Sequence, residues 1–334
     1  MLKNFIRTIT LCLVMLMLFS ACSVPHSTEG AVLSNENADE NAVRLYEYIC
    51  SLNGKKILSG QQESTWMGSD DYEFEYLTDK TGKLPAIRGF DYMNDDFDGV
   101  NERAIKWHEK GGIVTICWHC GSDFSGEWKD AMEDTVADWD KMLTEGTEEY
   151  NNMLAGMDKA AAALKELSDK GIPVLWRPFH EFDGTWFWWG KCTPDQFVTM
   201  WRIMYDRYTE YWELNNLIWE LNNLIWVLGF SDQGTDSSER YVGDEYCDII
   251  GADSYHIENN REIYKKMQGI TDAPKPLCLH ECGENPSLIE LNYTPWSYFM
   301  TWHTEYLTET NTDEALYELY NCEYVLTLDE IEIQ

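Results

Sequence analysis

Two glutamates carry the chemistry that this sequence offers: Glu181 in "VLWRPFHEFDGTWFWWG" (Val174 to Gly190) and Glu281 in "LCLHECG" (Leu277 to Gly283). Each stands at the end of an apolar run and each follows a histidine, His180 and His280. Paired carboxyl groups that flank a cleft can protonate a leaving oxygen and attack or shield an oxocarbenium-like carbon. Behind Glu181 come Trp186, Phe187, Trp188 and Trp189. Four consecutive aromatics cannot all face one core, so part of the run must line a cleft or meet solvent. Indole faces suit sugar rings, which are apolar along their axial hydrogens and polar at their hydroxyls. The competing account is structural ion pairing, Glu181 with Arg177 or Glu281 with Arg88. Such pairs rarely come with an adjacent aromatic run, which favours the chemical account.

Residues so far apart in the chain need a scaffold that brings them together. Short apolar runs bounded by turn residues recur at Ile57–Gln62, Leu84–Tyr92, Gly112–His119, Ile172–Glu181, Leu224–Phe230, Cys247–Tyr255, Lys275–Gly283 and Trp296–His303. Eight runs interleaved with helical or loop-like segments predict an α/β fold, a single-domain (β/α)8 TIM barrel over residues 41–334. Clear helical patterns cover Glu148–Lys170 and Pro194–Tyr211. A doubly wound sheet is the alternative, but no glycine-rich dinucleotide turn follows the first run. Each run turns polar or aromatic late: Gln61 and Gln62, Arg88 and Asp91, Trp118 and His119, His180 and Glu181, Asp253 and Tyr255, His280 and Glu281, Trp302 and His303. The C-terminal ends of barrel strands form the active face, and runs four and seven lie nearly opposite one another there.

At these residues the chain resembles glycoside hydrolase family 26, best known for endo-acting β-mannanases of a retaining clan. The resemblance covers nearly all of the chain after residue 40. "RPFHEFDGTWFWWG" is similar to the acid/base segment of that family and implies Glu181 as acid/base beside His180. "LCLHECG" is similar to its nucleophile segment and implies Glu281. "LSGQQE" and "PAIRGFDY" fit the first and second strands. The same resemblance implies His119 in "ICWHCG", Tyr255 in "GADSYH", Trp186, and Trp302 in "FMTWHT" as walls of the subsite where the bond is cut. Arg177 and Trp118, at the ends of their runs, complete the expected substrate-contacting set. Asp183 and Cys282 depart from the family pattern, where Asn and a bulkier or hydroxylated residue are more usual. The implied activity is a retaining endo-β-1,4-mannanase acting on mannan, glucomannan or galactomannan. A β-glycanase for β-glucan or xylan is the alternative within the class, and a non-catalytic glycan-binding lipoprotein the alternative outside it. The presence of both glutamates speaks against the last.

Composition bounds the partners. Among 334 residues, 25 Lys and Arg stand against 59 Asp and Glu, a formal charge of −34 that repels nucleic acid and anionic lipid. Fifteen Trp and nineteen Tyr exceed what a core usually takes and point to a ligand both flat and polar. Lys3 and Arg7, the apolar run Ile9–Phe19, and Ser20-Ala21-Cys22 read as a bacterial lipoprotein signal over residues 1–21. Cys22 is then the lipidated first residue of an exported, membrane-held protein. Residues 22–40, polar and small, read as a flexible tether. Cys117, Cys120, Cys278 and Cys282 with His119 and His280 raise a soft metal site, but no paired C-x-x-C spacing recurs, so no metal and no cofactor are expected. The acidic "NDDFDGVNE" lacks the closing Glu of a calcium loop and reads as solvated. The expected state is a monomer whose one partner is polysaccharide. "ELNNLIWELNNLIW" repeats Glu213–Trp219 as Glu220–Trp226, and only the second copy runs on into a strand. The first should lengthen a helix at the base of the barrel, away from the chemistry.

Overall fold

Strands buried on both faces read as near-continuous apolar runs, and the eight runs are largely apolar until they turn polar at their C-terminal ends. In a computed structural model, which describes residues 25–209, 219–255 and 257–333, they form a closed parallel barrel in sequence order. Its strands are β1 (Gly60–Gln62), β2 (Ile87–Asp91), β3 (Ile113–Cys117), β4 (Val174–Arg177), β5 (Leu224–Ser231), β6 (Ile249–Ser254), β7 (Leu277–Cys282) and β8 (Phe299–Thr301). Gln61 pairs with Thr301 and closes the ring. Ile57–Leu58, expected as part of the first strand, pairs instead with Val325–Leu326 outside the barrel.

Run four ends sooner than the sequence implies. Pro178 has no N–H to continue the ladder, so β4 stops at Arg177 and residues 178–181 turn inward. Between β6 and β7 the register shifts: Ala252 pairs with Leu279 but Asp253 pairs with Glu281. The extra residue, His280, makes a bulge that brings Asp253 and Glu281 side by side.

Helix α1 (Glu40–Leu52) is capped by the Asp39 side chain, which accepts from the Ala42 N–H. Its Leu45, Tyr46 and Ile49 pack in one cluster with Ile87, Ile113, Leu175, Ile225 and Ile249 from the early parts of the strands, and so plug the barrel base. Residues 25–39, expected to be a flexible tether, dock here too. Ser34 N–H donates to Asp248 (2.6 Å), His26 Nε2 meets the Ala273 carbonyl (2.9 Å), and the Asp39 N–H donates to the Asn222 carbonyl (2.7 Å). Backbone donors satisfied by the barrel hold the segment where composition alone reads as loose chain.

Around the barrel run α2 (Tyr72–Thr81), α3 (Phe97–Glu109), α4 (Glu148–Asp169), α5 (Pro194–Thr209), α6 (Asn260–Gln268) and α7 (Asp313–Tyr320), with shorter turns between them. Both helices predicted from sequence are present. α4 starts where the Thr147 hydroxyl accepts from the Tyr150 N–H, and its small Ala160, Ala161 and Ala163 lie buried against the core. Within "NDDFDGVNE" α3 begins at Phe97, and Asp96 pairs with Arg103. The signal region with Cys22, and all of the first heptad copy except Trp219, lie outside the described residues. Trp219 donates to Asp158 (2.9 Å) and the Leu221 N–H bonds the Tyr208 carbonyl, so the second copy leads directly into β5. Among the described residues no helix is long and apolar enough to cross a membrane.

Candidate active site

A cleft of about 570 Å3 opens at the C-terminal ends of the strands. Glu181, Glu281, His119, His180, Trp186, Tyr255 and Trp302 all line it, so seven of the nine side chains expected there come together. One carboxylate oxygen from each of Glu181, Asp253 and Glu281 lies within 4.8 Å of the other two.

The two glutamates have unlike surroundings. Glu181 sits in the turn after β4 at a left-handed φ of 53°, with Phe179 at 50° before it. Side chains rarely adopt that conformation, and here the Glu181 N–H is fixed on the Gly229 carbonyl of β5 (2.7 Å). Among the described residues its carboxyl accepts one bond, from the Trp186 indole (2.6 Å). Burial, and then the negative charge of Glu281, push its pKa up to about 8, against a smaller downward pull from the Trp186 bond. Glu281 instead accepts from the Arg177 guanidinium and from the Tyr255 hydroxyl (2.8 Å), with His180 Nε2 at 3.9 Å. One carboxyl is therefore set up to hold a proton and the other is fixed in place by donors.

Two members of the expected set do not contact the cleft. Trp118 neighbours His119, and neighbours along an extended chain point to opposite sides. Its indole packs outward between Phe97 (5.9 Å) and Phe124 (5.7 Å) in the core. Arg177 is fully buried beneath the site, where it bonds Asp253 (2.8 Å) and Glu281. It positions a carboxylate and does not line the cleft. Arg88 does not reach Glu281 either; it pairs with Glu63 (2.7 Å) and Asp71 (2.6 Å).

The remaining walls follow from local bonding. Asp91 takes the His119 N–H (2.9 Å) and lies 2.5 Å from Nδ1, which turns the other face of the ring toward the cleft. Burial presses the Asp91 carboxyl upward, but His119 and its bonds outweigh that and keep its pKa below the usual value. Burial, with Arg177 and His119 nearby, lowers His180 well below the usual imidazole value, so it is neutral. In the aromatic run, Trp186 and Phe187 line the cleft while Trp188 and Trp189 are fully buried. Their indoles donate to the Cys120 carbonyl (2.8 Å) and the His180 carbonyl (2.7 Å) and brace the strand ends. Asp183, the family departure, touches no cleft atom. It accepts from the Ser231 N–H (2.9 Å) and the Ser237 hydroxyl (2.5 Å) and ties the loops after β4 and β5.

Of the cysteines and histidines named in the sequence, Cys117 lies with His119, whereas among the described residues Cys120, Cys278, Cys282 and His280 join no metal-compatible group; His280 is held by Tyr298 (2.7 Å) below the cleft. Two groups have metal-compatible spacing, Asp91–Cys117–His119 and Glu181–Asp253–Glu281. In the first the carboxylate already bonds the imidazole, and in the second Arg177 supplies the positive charge. Phe187, from the aromatic run expected to line a cleft in part, does so, whereas sequence reasoning missed Trp66, Trp128 and Tyr306, which also line it. Trp66 lies on the loop after β1 and Trp128 opens the short helix Trp128–Glu133 after β3, and their half-exposed indoles are a signal only once those segments are placed.

A family model described as glycosyl hydrolase family 26 matches residues 34–330. A mannan endo-1,4-beta-mannosidase of Thermothelomyces thermophilus is 34% identical over 90% of this chain and 63% of its own length. Mannan endo-1,4-beta-mannosidase B of a Piromyces species is 32% identical over 90% of this chain and 53% of its own. The chain thus spans between half and two thirds of these curated relatives. The solved structure of GH26A from Muricauda sp. MAR_2010_75 superposes with a TM-score of 0.81 at 32% identity, covering 89% of this chain and 99% of that one.

Proposed function

Since this chain belongs to glycosyl hydrolase family 26, we propose that it is a retaining endo-β-1,4-mannanase that cuts internal bonds of mannan, glucomannan or galactomannan by double displacement. The observation that carries this reading is the approach of Glu181 and Glu281 oxygens to within 4.8 Å. A gap so narrow leaves no room for the water that an inverting enzyme holds between carboxylate and sugar. The names of the relatives supply the sugar, and the cleft supplies the chemistry.

In the first step Glu281 attacks the anomeric carbon while Glu181 gives its proton to the departing oxygen. Bonds from Arg177 and Tyr255 fix the angle of attack. The glycosyl ester that forms has no negative charge at Glu281, so one cause of the raised Glu181 pKa is gone. Glu181 can then take a proton from the incoming water, which releases the sugar with its original configuration. His119, Trp302 and Trp186 wall the reacting sugar and its neighbour, and neutral His180 adds no charge that would compete with Arg177 for Glu281. The protein acts as an exported monomer held to a membrane through lipid on Cys22, a reading supported by Lys3, Arg7 and the apolar run before that cysteine.

Reducing-sugar release from mannan, glucomannan, β-glucan and xylan, measured side by side, tests the substrate. Mannans should be cut fastest. Preference for β-glucan or xylan would move the enzyme to the alternative glycanase reading, and release from none would favour a glycan-binding role.

A further inference from the structure

Trp66, in the loop after β1, is 52% exposed and lines the cleft. It meets His303, in the loop after β8, edge to face at 4.8 Å, and His303 lies 4.5 Å from Trp302. Single exposed apolar residues are ordinary. What sets this one apart is the device that holds the two loops together. Glu73 of α2 is fully buried, and its carboxyl accepts from the Ser64 N–H (3.1 Å), the Ser64 hydroxyl (2.6 Å) and the Thr304 N–H (3.0 Å). Ser64 stands two residues before Trp66, and Thr304 directly follows His303. Thr304 has φ 53° and ψ −121°, a conformation costly for a β-branched residue unless its surroundings enforce it. A carboxyl without water must be matched by donors, and here all three come from the two loops that carry the ring pair.

We propose that Trp66 and His303 form a sugar platform on the retained-chain side of the cut bond, and that Glu73 is the positioning residue that assembles it; this rests on the mannanase reading above. The side follows from topology. Glu181 and Trp186 come after β4, across the barrel from neighbouring β1 and β8. The acid stands beside the leaving sugar, so the opposite wall receives the sugars that stay bound to Glu281. An indole face there stacks on a sugar beyond the reacting one and favours retained chains of two or more units.

The test compares two substrates whose leaving group needs little acid assistance, dinitrophenyl β-mannoside and dinitrophenyl β-1,4-mannotrioside, in the full chain. Trp66→Ala should lower the ratio of kcat/KM for trioside over mannoside by about tenfold, as expected for loss of one stacking contact. Glu73→Gln, which keeps the shape but puts an NH2 group against the loop donors, should lower the same ratio several-fold through KM. Ser64→Ala removes one donor and carries that test if Glu73→Gln does not fold. An unchanged ratio in Trp66→Ala would overturn the platform, and an unchanged ratio in a folded Glu73→Gln or Ser64→Ala would overturn the positioning role. A wild type inert on both glycosides and on mannan would instead refute the mannanase reading itself.

Discussion

Glu181 and Glu281 are the same residue given different work by their neighbours. Glu281 receives Arg177 and Tyr255, while Glu181 receives the Trp186 indole bond within a buried wall and faces a negative charge. With its pKa raised to about 8, Glu181 keeps its proton through neutral pH and loses it above. The kcat/KM profile on mannan should therefore fall on its alkaline side near pH 8, and Glu181→Gln should abolish that limb. Glu181→Ala should slow mannan cleavage by on the order of 10² to 10⁴, and cleavage of a dinitrophenyl glycoside by much less. Equal losses on both would show that the proton comes from elsewhere. Stability carries the same signature. A carboxyl whose folded pKa lies above its unfolded value binds more protons when folded, so it takes stability away as pH rises from about 4.5 toward 8. Glu181→Gln should be more stable than wild type at pH 8 by a wider margin than at pH 4, as read by denaturant midpoints.

The elements place these residues through interruptions in otherwise regular strands. β4 ends at Arg177, just before Pro178, and Glu181 four residues on turns inward at a left-handed φ, while the β7 bulge at His280 sets Glu281 beside Asp253. Deleting Glu213–Trp219 should leave turnover on mannan within a few fold, since the second copy already joins α5 to β5 through the Leu221 bond to Tyr208. Complete loss of activity in a folded deletion would mean that the first copy reaches the cleft. The barrel and the acid pair were legible in the sequence because both are written in local terms, apolar runs and polar ends. The fate of Trp118 was less so, because its side depends on where β3 stops. Arg177 reads as a sugar contact from its position, yet it is consumed by buried carboxylates that only the fold brings to it. Glu73 gave no signal at all; nothing in an acidic helix start reveals that it will lie under two loops from opposite ends of the chain.

At the scale of the whole molecule, α1 and residues 25–39 seal the base of the barrel and leave the opposite face open to polymer. A formal charge of −34 repels phosphate-rich surfaces, so the membrane attachment we propose would rest on lipid at Cys22. Cys22→Ala should move the protein from the membrane to the soluble fraction, and unchanged fractionation would exclude that anchor. Closure of eight strands fixes the span between β4 and β7, and with it the gap between the two glutamates. The most direct test of the account is NMR of the first product formed from a mannooligosaccharide, recorded before mutarotation. A β-configured reducing end, retained from the substrate, is the result that a double displacement through Glu281 predicts; an α-configured first product would contradict it.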